Sequence, residues 1–382
     1  MKNKRKVKYI VMVIISSYLF TGCWNYREIN NLSIVAGIAI DRSELDGKYE
    51  VTIEIVNIKK GKDISNNSEY ITLCGDSLFD IIRNMISVSS RRLYFSHAKI
   101  VIISKELARE GMGKSIDWYV RDAETRTDIY LLISKEKTAK EVLMSKRNEN
   151  MIVSFDLGKV IQNEKNVSTA PKVDLWDFLD VLKQKDSNTS LPLIFIDKSG
   201  EKEVPRIEGM AVIKDDKLIG MIDGDISKYI LFTTDEIKTG ILVLGKKTSE
   251  PISFEIFKNR TKIKYKFDEG KMKVQIFTDT IVSIAEYQSK QPFSTSEEKD
   301  ILEKQLANML EESIYNTTSM IQKEYKSDIL KFGITLHKDY PKVWKELSDN
   351  WEYTFENLDV EVISKVKIKN SATTSKPIEM GD

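Results

Sequence analysis

Three stretches of this 382-residue chain carry residue types that could do chemistry. The first is Thr21-Gly22-Cys23, small residues ahead of a cysteine. Bacterial lipoproteins are cut at such a pattern, and the thiol takes a diacylglyceryl group, so Cys23 is the candidate lipid-attachment residue. The second is Gly75-Asp76-Ser77-Leu78, the signature string of a group of serine esterases, in which Ser77 would be the nucleophile. The third is AREGMGKS, residues 108–115, a relaxed phosphate-binding loop with Ala108 where its first glycine belongs.

Two of the three lack their partners. A serine nucleophile needs a histidine base held by an acid, in these esterases as Asp-x-x-His. The chain has two histidines, His97 and His337, and the residues three before them are Tyr94 and Ile334. Ser77 reads better as a helix N-cap, with Asp80 three residues on as its capping partner. A phosphate-binding loop must join a strand end to a helix start, so that its amides cradle the anion. Here a helical turn at 105–110 intervenes. Two cysteines, Cys23 and Cys74, make no disulfide framework, and with two histidines they make a poor metal site. No catalytic residue, cofactor or metal is predicted.

Charge narrows the partners. The formal net charge is +1, and the segment 1–22 holds five of the cations, so the chain without it is at −4. A mildly acidic body is not expected to show the clustered basic face of a nucleic-acid binder. The four Asn-x-Ser/Thr sequons, at Asn66, Asn166, Asn188 and Asn316, read as polar loop sequence.

The N-terminus sets the compartment. Lys2, Lys4, Arg5, Lys6 and Lys8 precede the apolar run 9–20, YIVMVIISSYLF. Twelve residues of helix reach about 18 Å, against about 30 Å of hydrocarbon. Residues 1–22 therefore read as a lipoprotein signal peptide. The position three before the cysteine, usually leucine, is Phe20, with Leu19 one earlier. Cleavage leaves two acyl chains on Cys23, enough for stable anchoring. Without cleavage the segment stays as a signal anchor. Either way the body lies outside the cytoplasmic face.

Hydrophobic patterning supplies the elements. LSIVAGIAI, 32–40, is a buried strand, and KYEVTIEIVNI, 48–58, alternates as its half-buried hairpin partner across Asp46-Gly47. A polar loop is expected at 59–69. A helix at 78–88 buries Leu78, Ile81, Ile82, Met85 and Ile86. Strands at 98–103 and 128–133 alternate with helices at 105–110, 114–122 and 137–147, which makes an α/β unit. A short helix at 173–183 stands between polar stretches 162–172 and 184–192. The strands 207–213 and 217–222, a helix at 225–238 and the strand 240–244 form a small middle unit. Alternating strands follow at 252–257, 261–267 and 272–279, then a long helix at 297–327, a short one from Pro341 to 348, and closing strands in 351–369. The expected division is 1–22, 23–200, 201–248, 249–370 and a flexible tail 371–382.

The stretch CWNYREINNLSIVAGIAID, 23–41, resembles the mature start of the Ger(x)C family, through Cys23, Trp24, Arg27, Glu28, Ile29, Gly37 and Asp41. SRRLYFSHAKIVIISKELAREG, 90–111, RDAETRTDIYLLISKEKTAKEVL, 121–143, and EGMAVIKDDKLIGMID, 208–223, are similar to its later blocks in the same order. The likeness runs over nearly the whole chain after residue 22. It implies an α+β fold of three unlike mixed α/β domains in an elongated arrangement, and a subunit that is not an enzyme. It also implies a lipid-anchored subunit of a nutrient germinant receptor, required for spore germination. Its implied partners are integral-membrane A-type and B-type subunits, and its implied place is the outer face of the spore inner membrane. The readings that compete with it are a lipid-anchored esterase using Ser77 and a solute-binding lipoprotein with two similar lobes around a cleft.

Overall fold

The computed structural model describes residues 6–9, 12, 31–44, 47–59, 65–122, 124–145, 151–183, 188–198, 200, 203–245, 250–268, 271–287 and 296–369. Two sheets organise them, in a mixed α+β architecture. The larger begins with β1 (Leu32–Arg42), β2 (Tyr49–Lys59) and β3 (Ser65–Gly75). It continues through β4 (Arg92–Tyr94), β5 (Ile100–Ser104), β6 (Tyr130–Ser134), β7 (Asn188–Asp197), β8 (Val204–Lys214) and β9 (Lys217–Ile222). The spatial order is β3-β2-β1-β5-β6-β7-β8-β9, with β4 also pairing with β1. β1, β5, β6 and β7 run parallel, and antiparallel hairpins flank them on both sides.

A parallel centre must be covered on both faces, which is why β1, β5 and β6 are nearly unbroken apolar runs. The helices Leu78–Val88, Lys105–Glu110, Gly113–Arg121 and Leu175–Leu182 cover one face through Ile81, Met85, Leu107, Ile116 and Phe178. The helices Ala139–Met144 and Val153–Asn163 cover the other through Val142, Leu143, Leu157 and Ile161.

The second sheet has the order β10 (Gly240–Leu244), β11 (Ile252–Asp268), β12 (Lys271–Tyr287) and β13 (Asp359–Lys369). The first three are antiparallel, and β13 lies parallel to β12. Its inner face, including Ile256, Ile276, Val282 and Val366, packs on Leu306, Leu310 and Ile314 of the helix Ser296–Met320. The helices Phe332–Asp339 and Trp351–Glu356 add Phe332, Leu336 and Phe355 to that core.

The strands of residues 201–248 divide between the two sheets. β8 and β9 extend the first sheet by pairing with β7, while β10 edges the second. Met210, Val212 and Ile222 turn their reverse face to the second sheet's helices, so one apolar core crosses the joint.

Four elements depart from the patterning. The expected polar loop at 59–69 holds the first half of β3, an edge strand. The polar stretch 184–192 begins β7, where Pro192 is accommodated at a register shift against β8. The helix Val153–Asn163 falls where no element was predicted. Residues 351–356 are a helix, not a strand, because Trp351 and Phe355 share one face at a spacing of four.

A candidate cleft and the carboxylates that frame it

Cys23 lies outside the described residues. The others can be placed. Ser77 is exposed, with the N-cap position of the helix Leu78–Val88 but no capping bond from its side chain. Asp80, its expected capping partner, instead accepts a bond from the Asn84 amide at 3.0 Å. His97 is exposed and meets the Tyr94 ring edge-on, and His337 stacks on Trp344. Among the described residues no hydrogen bond joins either histidine to Ser77.

Residues 108–115 run from the end of one helix, through Gly111, into the start of another at Gly113. The amides there are already occupied. Met112 N–H donates to the Asp216 carbonyl at 2.8 Å, and Gly113 N–H donates to the Asp216 carboxylate at 3.0 Å. The chain's own carboxylate stands where a phosphate would.

Buried acids elsewhere do structural work of the same kind. Glu54, fully buried in β2, accepts bonds from the amides of Val153 and Ser154 at 2.9 and 2.8 Å, and from the hydroxyls of Ser154, Ser68 and Tyr70. These amides open the helix Val153–Asn163, whose positive end favours a carboxylate. Asp41 does the same for Ala139–Met144, taking the amides of Ala139 and Lys140 at 2.6 and 3.0 Å. Burial raises its carboxyl to about pH 6, and the two amides pull the other way. Asp328 accepts from Phe332 and Gly333 amides and from the Trp351 indole, and burial raises it to about 6.

A cleft of about 970 Å³ opens between the two sheets. The helix Leu175–Leu182 contributes Trp176, Asp177 and Asp180, and the far wall carries Glu236, Lys331 and Ile334. Lys331 pairs with Glu236 at 2.6 Å across the loop that Asp328 fixes. Partial burial pushes the Asp177 carboxyl up, and Asp174 adds to it. Buried Glu164 on the same wall is raised by desolvation against three bonds from Thr169 and Ala170. Acid, lysine and indole side by side can hold a polar ligand or a loop, but no histidine or cysteine lines the cleft. Among the described residues no group of three His, Cys, Asp or Glu side chains is arranged to hold a metal ion.

These carboxylates escaped sequence reasoning, except Asp41, because each acts on amides about a hundred residues away or in a loop without a motif. The comparisons with known proteins bear on the whole chain. The family described as spore germination protein N-terminal domain matches residues 25–196. The family described as spore germination B3/GerAC like, C-terminal, matches 208–372. The chain is 27% identical to spore germination protein KC of Bacillus subtilis (strain 168), over 98% of each chain. It is 24% identical to spore germination protein B3 of the same organism, over 98% of this chain and all of that one. The crystal structure of the GerBC protein superposes with a TM-score of 0.58 at 21% identity, covering 87% of this chain and 96% of that one, which establishes a shared fold.

Proposed function

Since the chain belongs to the Ger(x)C family of spore germination proteins, we propose that it is the lipid-anchored, non-enzymatic subunit of a nutrient germinant receptor. In this reading it works beside integral-membrane A-type and B-type subunits, on the outer face of the spore inner membrane. The observation that carries it is the pair of family matches, which together reach from residue 25 to residue 372.

Other features support the reading. Ser77 and the 108–115 turn lack the partners that chemistry would need. The two sheets are unlike, whereas a solute-binding lipoprotein needs two similar lobes. No helix of the described residues is long and apolar enough to cross a membrane. The proposal therefore gives membrane attachment to Cys23, after removal of residues 1–22. A tether of two acyl chains confines the body to a surface and raises its effective concentration for membrane partners.

Deleting the gene in its own spore former tests this. Nutrient-triggered germination is expected to fail, to return with the wild-type chain, and not to return fully with Cys23→Ala. Multispan membrane subunits are expected to co-purify with the wild type. Normal nutrient germination in the deletion strain would remove the assignment. An unmodified Cys23 thiol by mass spectrometry would remove the anchor.

A further inference from the structure

Charge is segregated on the second sheet. In β11 the side chains of Lys258, Arg260, Lys262, Lys264 and Lys266 alternate with the buried Asn259, Thr261 and Tyr265, so they share the outer face. The register places Arg260 opposite Asp279 of β12, which is itself opposite Lys365 of β13. Lys367 and Lys369 follow on the same face, and Lys271 and Lys273 complete the set from β12. Ten cations thus share a face with five carboxylates, Glu255, Asp268, Asp279, Asp359 and Glu361, on a body whose net charge without residues 1–22 is −4.

The carboxylates do not neutralise it evenly. Among the described residues the ion pairs of this face gather at one end, where Lys273 meets Asp359 and Glu361 at 3.5 and 3.6 Å. The other end sets Lys258, Arg260, Lys365, Lys367 and Lys369 against two carboxylates, Glu255 and Asp279. All five of those cations are exposed. Among them Phe277, Ile281 and Ile363 are half-buried, and Lys264 Nζ lies 5.1 Å from the Phe277 ring centroid. Two large apolar side chains, Ile241 on the neighbouring β10 and Phe257 at the register shift of β11, are about half exposed, at 52% and 53%.

We infer that this outer face is an electrostatic docking surface for an anionic phospholipid bilayer. Charge complementarity selects the partner. Nine of the ten cations are lysines, hydrated point charges on flexible stems, which suit a diffuse sheet of headgroup phosphates. Recognition of defined carboxylates or phosphates favours the bidentate fork of arginine, of which the face has one. The strand is roughly 50 Å long, so the cations are spread over an open sheet face and not drawn into a groove that tracks a polyanion. Exposed Ile241 and Phe257 add the apolar contact that an interfacial surface uses. The inference does not depend on a lipid at Cys23: it supplies a second, salt-sensitive contact that would set the body's orientation on the membrane.

The test uses the full-length chain and vesicles of phosphatidylcholine with or without phosphatidylglycerol. Neutral vesicles read the N-terminal attachment, and the anionic increment reads charge. Lys262→Glu/Lys264→Glu/Lys367→Glu, checked for an unchanged melting temperature, is expected to lose at least about tenfold in affinity for the anionic vesicles. Its affinity for neutral vesicles is expected to stay within about twofold of wild type, and added salt to erase the wild-type advantage. The milder Lys→Gln set is expected to show a smaller loss in the same direction, and it replaces the Glu set if that melts early. Equal anionic affinity of wild type and both variants overturns the proposal and leaves the anchor reading intact. Tighter capture by polyglutamate or duplex DNA than by anionic vesicles overturns it in favour of an acidic macromolecule.

Discussion

The Ser154 hydroxyl occupies the place where Gly37 would carry a Cβ. Gly37 lies at the register shift of β1, and Ser154 is the second residue of the helix that Glu54 holds. A glycine here lets that helix end close on the sheet. Gly37→Ala is expected to lower unfolding stability by about 2–3 kcal/mol, an overpacking cost. The double variant with Ser154→Gly should recover part of it, because the two residues are in contact. Additive losses in urea titrations would show that the contact does not matter.

Glu54 satisfies two helix amides and three hydroxyls from one buried position. Gln would turn a donor toward at least one of those donors. Glu54→Gln is expected to cost on the order of 2–3 kcal/mol and to speed amide exchange at Val153 and Ser154. Unchanged exchange at those amides would refute the anchoring role.

Asp328 makes a pH prediction of unusual sign. Its folded value, about 6, lies above the ordinary 3.8, so the native state binds the proton more tightly than the unfolded chain. The stability it contributes is fully present below about pH 4 and is lost as pH rises through 6. Two units correspond to about 3 kcal/mol. The stability advantage of wild type over Asp328→Asn is therefore expected to shrink by about 2–3 kcal/mol between pH 4 and 7.5. An advantage that grows with pH would contradict it. Asp41 should behave alike.

The joint between the sheets turns on Tyr325, whose ring fills the space over Gly220 and whose hydroxyl reaches the Met221 carbonyl at 3.3 Å. Tyr325→Ala is expected to cost about 3 kcal/mol or more and to split a single calorimetric transition into two. A single transition at lower temperature would mean that the remaining core still couples the halves.

How much of this was legible depended on where the signal lay. β1, its hairpin partner and the helix Leu78–Val88 were readable because their periodicity is local. Gly37 and Asp41 were visible as a spaced pair, but their reasons, the Ser154 hydroxyl and the Ala139 amide, are about a hundred residues away. β3 was missed because an edge strand can be polar. The basic face was hidden by a near-neutral total. The alternation K-x-K in 258–266 and 365–369 was the signal that could have found it, once both runs were read as strands of one sheet.

Among the described residues β13 is the last strand, and it runs parallel to β12, its only neighbour in the sheet. A parallel partner cannot arrive by a turn. The chain must first lay down the helices between residues 296 and 356 before Val360 meets Val274. Until that moment the flank of β12 stands unpaired, a template for any other extended segment. A chain that loses its end to a protease before folding would keep that seam open, so the closing strand decides between a finished protein and an aggregate.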